Sequence, residues 1–510
     1  MLCARIHLAG LPLERDEGEY AYMGQLLLQG VPPYKLAYSM KFPGTAAAYA
    51  VLMSTFGHTP TGVHLALLFT NLITVALIVL LGWRLTGEVG GVAAGATYSV
   101  LSLMPHVLGQ AAHATHFVVL FAIAGALVLI RGLDRRSAAL IFGSGCLFGI
   151  AFLMKQSGAF FVLFGSIYLS ARDWREQLST KTTLARNLLF LCGAGVPCFL
   201  TLLAVWGFGI FGKFWFWTIQ YAAHYGTEVS LSEAAAIFAA HIRGTLGTAW
   251  PIWAAGFVGL IACLVSSAIR NHALILLLFA GFSAASVCPG FYFRPHYFIA
   301  FLPALALLTA AGVIAGVEFC KVRAPNFRWA PIVILAMCLL WPLWSERDFF
   351  FQKSLAEANR MVNGTNPFPE SLKIGEYLHA QTAPSDTIAV LGSEPQIYFY
   401  AKRHSATGYI YTYGLMEPQR YAHQMQQEMI AEIEAARPKF VVLVVEAKSW
   451  LMRGDSDQTI FRWAARYCEA NYDEVGLVNI FDEGTDYYLS DPPSNVTSAS
   501  GHIVIYRRKT

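Results

Sequence analysis

Long apolar stretches alternate with short polar breaks over the first 345 residues of the chain, and then the pattern stops. Apolar runs of about 17–25 residues are long enough to cross a bilayer as helices. Ten segments qualify, at 62–82, 89–105, 115–131, 138–154, 157–171, 187–209, 247–267, 272–288, 296–316 and 329–345. The fifth is short and the second carries several glycines. From residue 346 charges become frequent, and short β-rich runs appear at Thr387–Leu391, Phe440–Val445, Val475–Phe481 and His502–Tyr506. Helical stretches fall between them, near Pro369–Ala380 and Pro418–Ala436. Alternating helix and strand predicts one α/β domain of ordinary size. The expected fold class is therefore a polytopic α-helical membrane protein, residues 1–345, followed by a soluble extracytoplasmic α/β domain, residues 346–510.

Composition supports this division. The 510 residues are 56% hydrophobic and only 13% charged, about half the charge of a typical soluble domain. Disorder, collagen and a disulfide scaffold are excluded. Of nine cysteines only Cys468 lies in the polar C-terminal third, so no disulfide can form within it. A net charge of +4 fits loop lysines and arginines on a membrane protein and gives no footprint for nucleic acid.

Sidedness follows from the short loops, because Lys and Arg stay cytoplasmic. One alternate set carries Arg84, Arg131, Arg135, Arg136, Arg172, Arg175, Lys181, Arg186, Arg270, Lys321, Arg323 and Arg328. The other carries only Lys155, Lys213, Arg243 and Arg294. This bias places the first sixty residues, the loop 210–246 and everything after about 346 outside the plasma (inner) membrane. No signal peptide is visible in residues 1–13, yet this stretch falls outside, which leaves a further helix upstream, the favoured expectation, or a short N-terminus that crosses on its own.

The chemistry concentrates in the first external segment, Leu13 to Gly57. Asp16 followed by Glu19 reads as a capping box in carboxylate form, starting an amphipathic helix over 17–29. That helix is roughly 18 Å long by the α-helical rise, too short to span, and is expected to lie along the membrane boundary. A second short apolar stretch, Thr45–Phe56, follows. Two interfacial helices at 17–57, joined by a loop with Lys41, would hold an acid and a cation over one bundle mouth.

Asp16, Glu17, Tyr20 and Ala21, then Lys41 with Pro43, then Phe56 with Gly57, resemble the first external loop of the GT-C membrane glycosyltransferases. The nearest group is glycosyltransferase family 39 in the broad sense: protein O-mannosyltransferases and the bacterial aminoarabinose transferases of lipid A. Phe291–Ala304 resembles the bacterial branch's turn into a late helix, and Gly392–Tyr400 its C-terminal domain.

The resemblance implies transfer of a sugar from a polyprenyl-phosphate carrier to the hydroxyl of a membrane-associated acceptor, outside the lipid bilayer, by inverting displacement. Asp16, with Glu17 beside it, takes the family's catalytic position as base. Lys41 is the candidate for the donor phosphate, joined by Arg294, which reads equally as an anchor to lipid headgroups, and by Lys155, which reads equally as a snorkelling lysine. Tyr20, His113, His116 and His296 are the candidate cavity residues. In the aminoarabinose transferases a glutamate before the lysine takes part in a metal site. Here that residue is Met40, so a divalent metal is possible but no ligand set is assigned. His113 and His116 share a helix face and read as hydrogen-bonding cavity residues before a metal pair. His224 and Glu228 form a second, weaker pair. The aromatic run Phe214–Trp217 reads as an interface belt, or more sharply as a groove for acceptor or lipid. Glu394 reads as a helix-start acid. Sequons at Asn363 and Asn495 are short enough to arise by chance. The rival readings are a transporter or flippase and a non-catalytic scaffold. A transporter calls for mid-span charges and an internal repeat, and the sequence has neither.

Overall fold

A computed structural model describes residues 1–482, 484–490 and 499–509; the sequon at Asn495 lies outside them. Among the described residues, six helices are long and apolar enough to cross a membrane: Pro60–Leu101, Ala114–Asp134, Thr180–Gly207, Leu231–Val265, Leu302–Arg323 and Pro325–Ser345. Gly44–Phe56, Ala138–Met154 and Ala273–Ala285 are shorter apolar helices. Pro60–Leu101 holds the first two segments read from the sequence, because its axis breaks at Gly87 (φ 80°, ψ −178°). Glycine is needed there, since φ in this range strains any residue with a Cβ. Beyond the break the two arms pack closely: a Cβ on Gly82 would lie 3.0 Å from the Cα of Gly91. The Tyr98 hydroxyl donates across the hairpin to Asn71 at 3.2 Å. The stretch read as an external loop, 210–246, is largely helical and ends in Leu231–Leu246.

Basic side chains gather at one end of the bundle. Arg84 and Arg172 both hold Asp134, at 2.8 and 3.2 Å, and Arg186 holds Asp173 at 2.6 Å.

Among the described residues the C-terminal sheet has six strands: β1 Thr387–Leu391, β2 His404–Ser405, β3 Phe440–Val445, β4 Tyr472–Ile480, β5 Thr485–Tyr488 and β6 Gly501–Arg508. Their order is β2-β1-β3-β6-β4-β5. β1 runs parallel to β2 and β3, and the β6, β4 and β5 pairings are antiparallel. Central β1 and β3 are continuous apolar runs because both sheet faces are covered. Ile374 and Leu378 pack with Ile388 and Val390 on one face. Met425, Met429 and Ile433 pack with Ala389 and Leu391 on the other.

The first interfacial helix departs from expectation. It runs Arg15–Leu28 and is buried around nearly its whole circumference rather than on one face. The α/β domain supplies the second wall. Gly18 lies so close to the helix Gln396–Ala401 that a Cβ there would meet the Gln396 backbone nitrogen at 2.7 Å. Tyr22 stacks on Tyr398 with ring centroids 5.2 Å apart, and the Tyr400 hydroxyl accepts from the Leu13 amide at 2.8 Å. Arg15 and Glu394 form a buried ion pair at 2.8 Å.

Candidate active site

The N-cap of the Arg15–Leu28 helix is Glu14, two residues before the expected Asp16. Its carboxylate accepts from the Glu17 amide at 2.9 Å, and Glu17 accepts from the Glu14 amide at 3.1 Å. Asp16 is thereby released from capping. It sits in the first turn, 16% exposed at its side chain, and lines a cavity of about 220 Å³.

Lys41 reaches this cavity from the loop between the two short helices. The Tyr34 hydroxyl holds its carbonyl at 2.7 Å. Gln156 donates to the carbonyl of the neighbouring Met40 at 2.6 Å, which fastens the loop to the turn that carries Lys155. The Lys41 ammonium lies 3.1 Å from Asp16 Oδ1 and 2.8 Å from Glu19, with the Tyr20 ring centroid 4.4 Å away. Lys155 and Arg294 line the same cavity. Lys155 Nζ lies 3.8 Å from the centroid of the Tyr297 ring. His113 and His296 stack at 4.1 Å and 13° beside the second Asp16 oxygen.

The local field separates these groups. Burial alone would raise the Asp16 carboxyl, but the Lys41 ammonium, His113 and His296 together outweigh it and hold it well below the usual range. Burial would lower Lys41, and the Asp16 and Glu19 carboxylates hold it well above its usual value. Lys155 has no carboxylate of its own. Burial, reinforced by the Lys41 charge, brings it down to about 7. Burial, with His113 and Lys155 adding to it, pushes His296 down.

The cavity thus gathers Asp16, Tyr20, Lys41, Lys155, His113, Arg294 and His296. Glu17 and His116 do not line it. Glu17 is turned about 100° from Asp16 around the helix and is spent on the cap, on the Ala112 amide at 2.6 Å and on His64 at 3.1 Å. It fixes the segment that presents His113. His116 is 1% exposed, inside the bundle.

Several lining residues carried no signal in the sequence. Tyr411, Tyr413 and Glu417 come from the α/β domain. Burial brings Glu417 up to about 7, and the Tyr221 hydroxyl donates to it at 2.7 Å. Glu19 pairs with Lys41, a role its place in the expected capping box concealed. In the aromatic run, Phe214 and Trp217 turn inward at 4% and 5% exposure, and Trp217 lines the cavity. Glu228 is held by Arg453 and Tyr292 rather than His224. Met40 lines the cavity where the aminoarabinose transferases carry glutamate, and its thioether is a poor partner for a hard divalent ion. The family's metal set is not reproduced at that position.

Residues 41–198 match the family described as dolichyl-phosphate-mannose-protein mannosyltransferase. Comparison with curated proteins gives no match. Among solved structures, ArnT from Cupriavidus metallidurans bound to undecaprenyl phosphate is similar over 99% of this chain and 96% of that one, with TM-score 0.59 and 15% identity. Its apo form has TM-score 0.57 over the same shares, again at 15% identity. The fold is that of the GT-C membrane glycosyltransferases. The Archaeoglobus fulgidus oligosaccharyltransferase tethered with an acceptor peptide also aligns, over 95% of this chain and 71% of that one, at TM-score 0.49 and 12% identity.

Proposed function

We propose that this protein moves a sugar from a polyprenyl-phosphate carrier to an acceptor hydroxyl on the extracytoplasmic side of the plasma (inner) membrane. The observation that carries the reading is one cavity at the junction of bundle and α/β domain, in which a carboxylate, Asp16, stands beside Lys41, Lys155 and Arg294. Aromatic walls from Tyr20, Trp217, Tyr297 and Tyr411 suit a sugar ring and a prenyl chain. The similarity to a structure that holds undecaprenyl phosphate supports a lipid-phosphate donor.

In the proposed reaction the acceptor oxygen attacks the anomeric carbon as its bond to the phosphate oxygen breaks. The electron pair leaves with the lipid phosphate, whose growing charge Lys41, Lys155 and Arg294 stabilise. The hydroxyl proton passes to Asp16. A carboxylate held low is a weak base for a free alcohol. Attack on an oxocarbenium-like carbon makes the hydroxyl acidic as the bond forms, so the transfer falls late. Base and leaving group on opposite faces of the sugar give inversion. Docking of the α/β domain over the cavity keeps water from the activated sugar.

The test is sugar transfer from polyprenyl-phosphate donors into a membrane acceptor fraction by the purified protein, compared with Asp16→Asn. Transfer that needs Asp16 supports the reading. Donor binding without transfer by the wild type, across a panel of sugars and acceptors, would sink it.

A further inference from the structure

Asp16, Glu19 and Glu417 are the acids that line the cavity. Lys41 holds the first two, at 3.1 and 2.8 Å. Among the described residues, no cation pairs with Glu417. The Tyr221 hydroxyl donates to its Oε2 at 2.7 Å, and its Oε1 accepts no hydrogen bond. The nearby Glu228 is different, since Arg453 holds it at 2.5 Å and the Tyr292 hydroxyl donates to it. Burial, with Glu228 adding to it, brings Glu417 up to about 7, as expected of a carboxyl withdrawn from water without a counter-ion.

The wall beside it is built by an unusual turn. Phe216–Tyr221 winds as one π-helical turn, a form that recurs at functional sites. It brings Trp217 and Tyr221 to the cavity with ring centroids 5.2 Å apart at 69°. Gly414 leaves room for the Tyr221 hydroxyl, which a Cβ there would meet at 2.6 Å. Trp217 is 5% exposed, and its Nε1 is buried without a hydrogen-bond partner. A buried indole N–H ordinarily finds an acceptor, and leaving it unmet is costly. This end of the cavity therefore offers one open acceptor and one open donor beside an aromatic face. A few polar groups set among aromatic walls are what orients a bound ligand, and this set matches a ring that carries hydroxyls.

The next step rests on the proposed transfer. There the cations fix the donor's phosphate, and Asp16 marks the carbon that is attacked. A prenyl chain has no polar atoms, so the ring hydroxyls are the part of the donor left for this wall. Tyr411 connects the two ends: its hydroxyl lies 3.5 Å from Asp16 Oδ1, and its ring packs on Tyr413 at 4.8 Å, three residues before Gly414–Glu417 completes the wall. We infer that Glu417 and the Trp217 indole form the subsite for the ring hydroxyls of the transferred sugar, and that they select an uncharged polyhydroxy sugar over an acidic one. Glu417 accepts from a hydroxyl through Oε1, and the indole N–H donates to another. A sugar carboxylate at the same place would face Glu417 with its neighbouring cations already committed, Arg453 to Glu228 and Arg294 to the phosphate. Like charges in a partly buried site repel strongly.

The experiment measures equilibrium binding to the purified full-length protein in nanodiscs, so neither acceptor nor turnover is needed. The probes are undecaprenyl phosphate, its glucosyl, galactosyl, mannosyl and arabinosyl derivatives, and the uronates of the three hexoses. At least one neutral glycosylated lipid should bind severalfold tighter than the bare lipid phosphate. Each uronate should bind at least about tenfold more weakly than its hexose, because a site built for hydroxyls leaves its polar groups badly paired with the wrong ligand. Glu417→Gln keeps the bond from Tyr221, and Trp217→Phe keeps an aromatic ring. Both should remove most of the affinity that the sugar adds while leaving undecaprenyl phosphate itself bound as before. Glu417→Gln should also narrow the gap between hexose and uronate severalfold, since a neutral hydrogen bond replaces a charge-assisted one. Each value is read as a ratio to the bare lipid, so a general loosening of the fold cancels. A wild-type protein that binds no glycosylated lipid better than the bare one, or hexose and uronate equally, would overturn the inference, and this comparison decides the case even if a variant does not fold. So would variants that keep the sugar's contribution, or that change only the acceptor KM. The proposed function fails differently: donors that bind but are never transferred would sink it and leave these binding ratios standing.

Discussion

At the scale of single residues, the central feature is how Asp16 is divided. One oxygen faces Lys41 and the other faces two imidazoles, so the carboxylate is ionised and fixed in orientation. Asp16→Asn is nearly isosteric and leaves the Glu14 cap intact. It should cut transfer by about 10²–10⁴-fold while donor affinity stays close to wild type; purified-enzyme turnover and donor binding check both halves. Lys155 gives a different signature. With burial holding it near 7, its ammonium is present below that pH and lost above it. A glycosyl phosphodiester keeps a constant charge over this range. Of the groups that face Lys155, Lys41 is held above its usual range and Asp16 below it, and Arg294 stays cationic. Donor affinity should therefore fall as pH rises from 6 to 8, approaching about tenfold per unit. Lys155→Met should bind more weakly at pH 6 and show a flatter profile. A profile unchanged by Lys155→Met would remove the residue from the phosphate site.

At the scale of elements, the helix Arg15–Leu28 shows what the sequence reveals and where it stops. Asp16 with Glu19 and Glu14 with Glu17 are both acids three apart before an apolar run, and local pattern cannot choose between them. The choice is tertiary. Tyr400, nearly 390 positions along the chain, accepts from the Leu13 amide, and Ala112 and His64 claim Glu17. By contrast β1 and β3 match their expected ranges, because a continuous β-branched run between helices has few alternative uses. The α/β domain's hold on this helix is testable. Gly18→Ala places a Cβ 2.7 Å from the Gln396 backbone, where neither helix can retreat, and should cost about 1–3 kcal/mol. Arg15→Ala strands Glu394, which is fully buried, and should cost about 3–5 kcal/mol. Thermal unfolding in detergent measures both. A Glu394 read only as a helix-start acid would predict a far smaller loss.

At the scale of the whole molecule, the site lies at a junction. Asp16 and Lys41 were legible from their motif. Tyr411, Tyr413 and Glu417 were not, because they follow β2 in a stretch with no periodicity and come to the cavity only through the domain's docking. A simple division of labour would have the bundle bind donor and the α/β domain select acceptor. The structure argues against so clean a division. The α/β domain forms one wall of the cavity that holds Asp16, and it buries the outer face of the helix that carries it. A chain cut after Ser345 would expose Tyr22, Gly18 and the Arg15 guanidinium to water, and the first turn would lose the contacts that set its cap. Such a truncation should fail to bind a polyprenyl-phosphate sugar, even if the apolar helices still assemble. The finer test keeps the chain whole. Tyr413→Phe removes a hydroxyl that accepts from Arg15 at 2.7 Å and donates to the Lys448 carbonyl at 2.7 Å. The ring stays in place, so stability should change by only about 1 kcal/mol. Glu417→Gln removes a carboxyl poised near 7 and keeps its bond from Tyr221. If the α/β domain shapes the donor pocket, both variants should raise the donor KM severalfold, with turnover at saturating donor nearly unchanged. Effects confined to acceptor KM would restore the simpler division of labour.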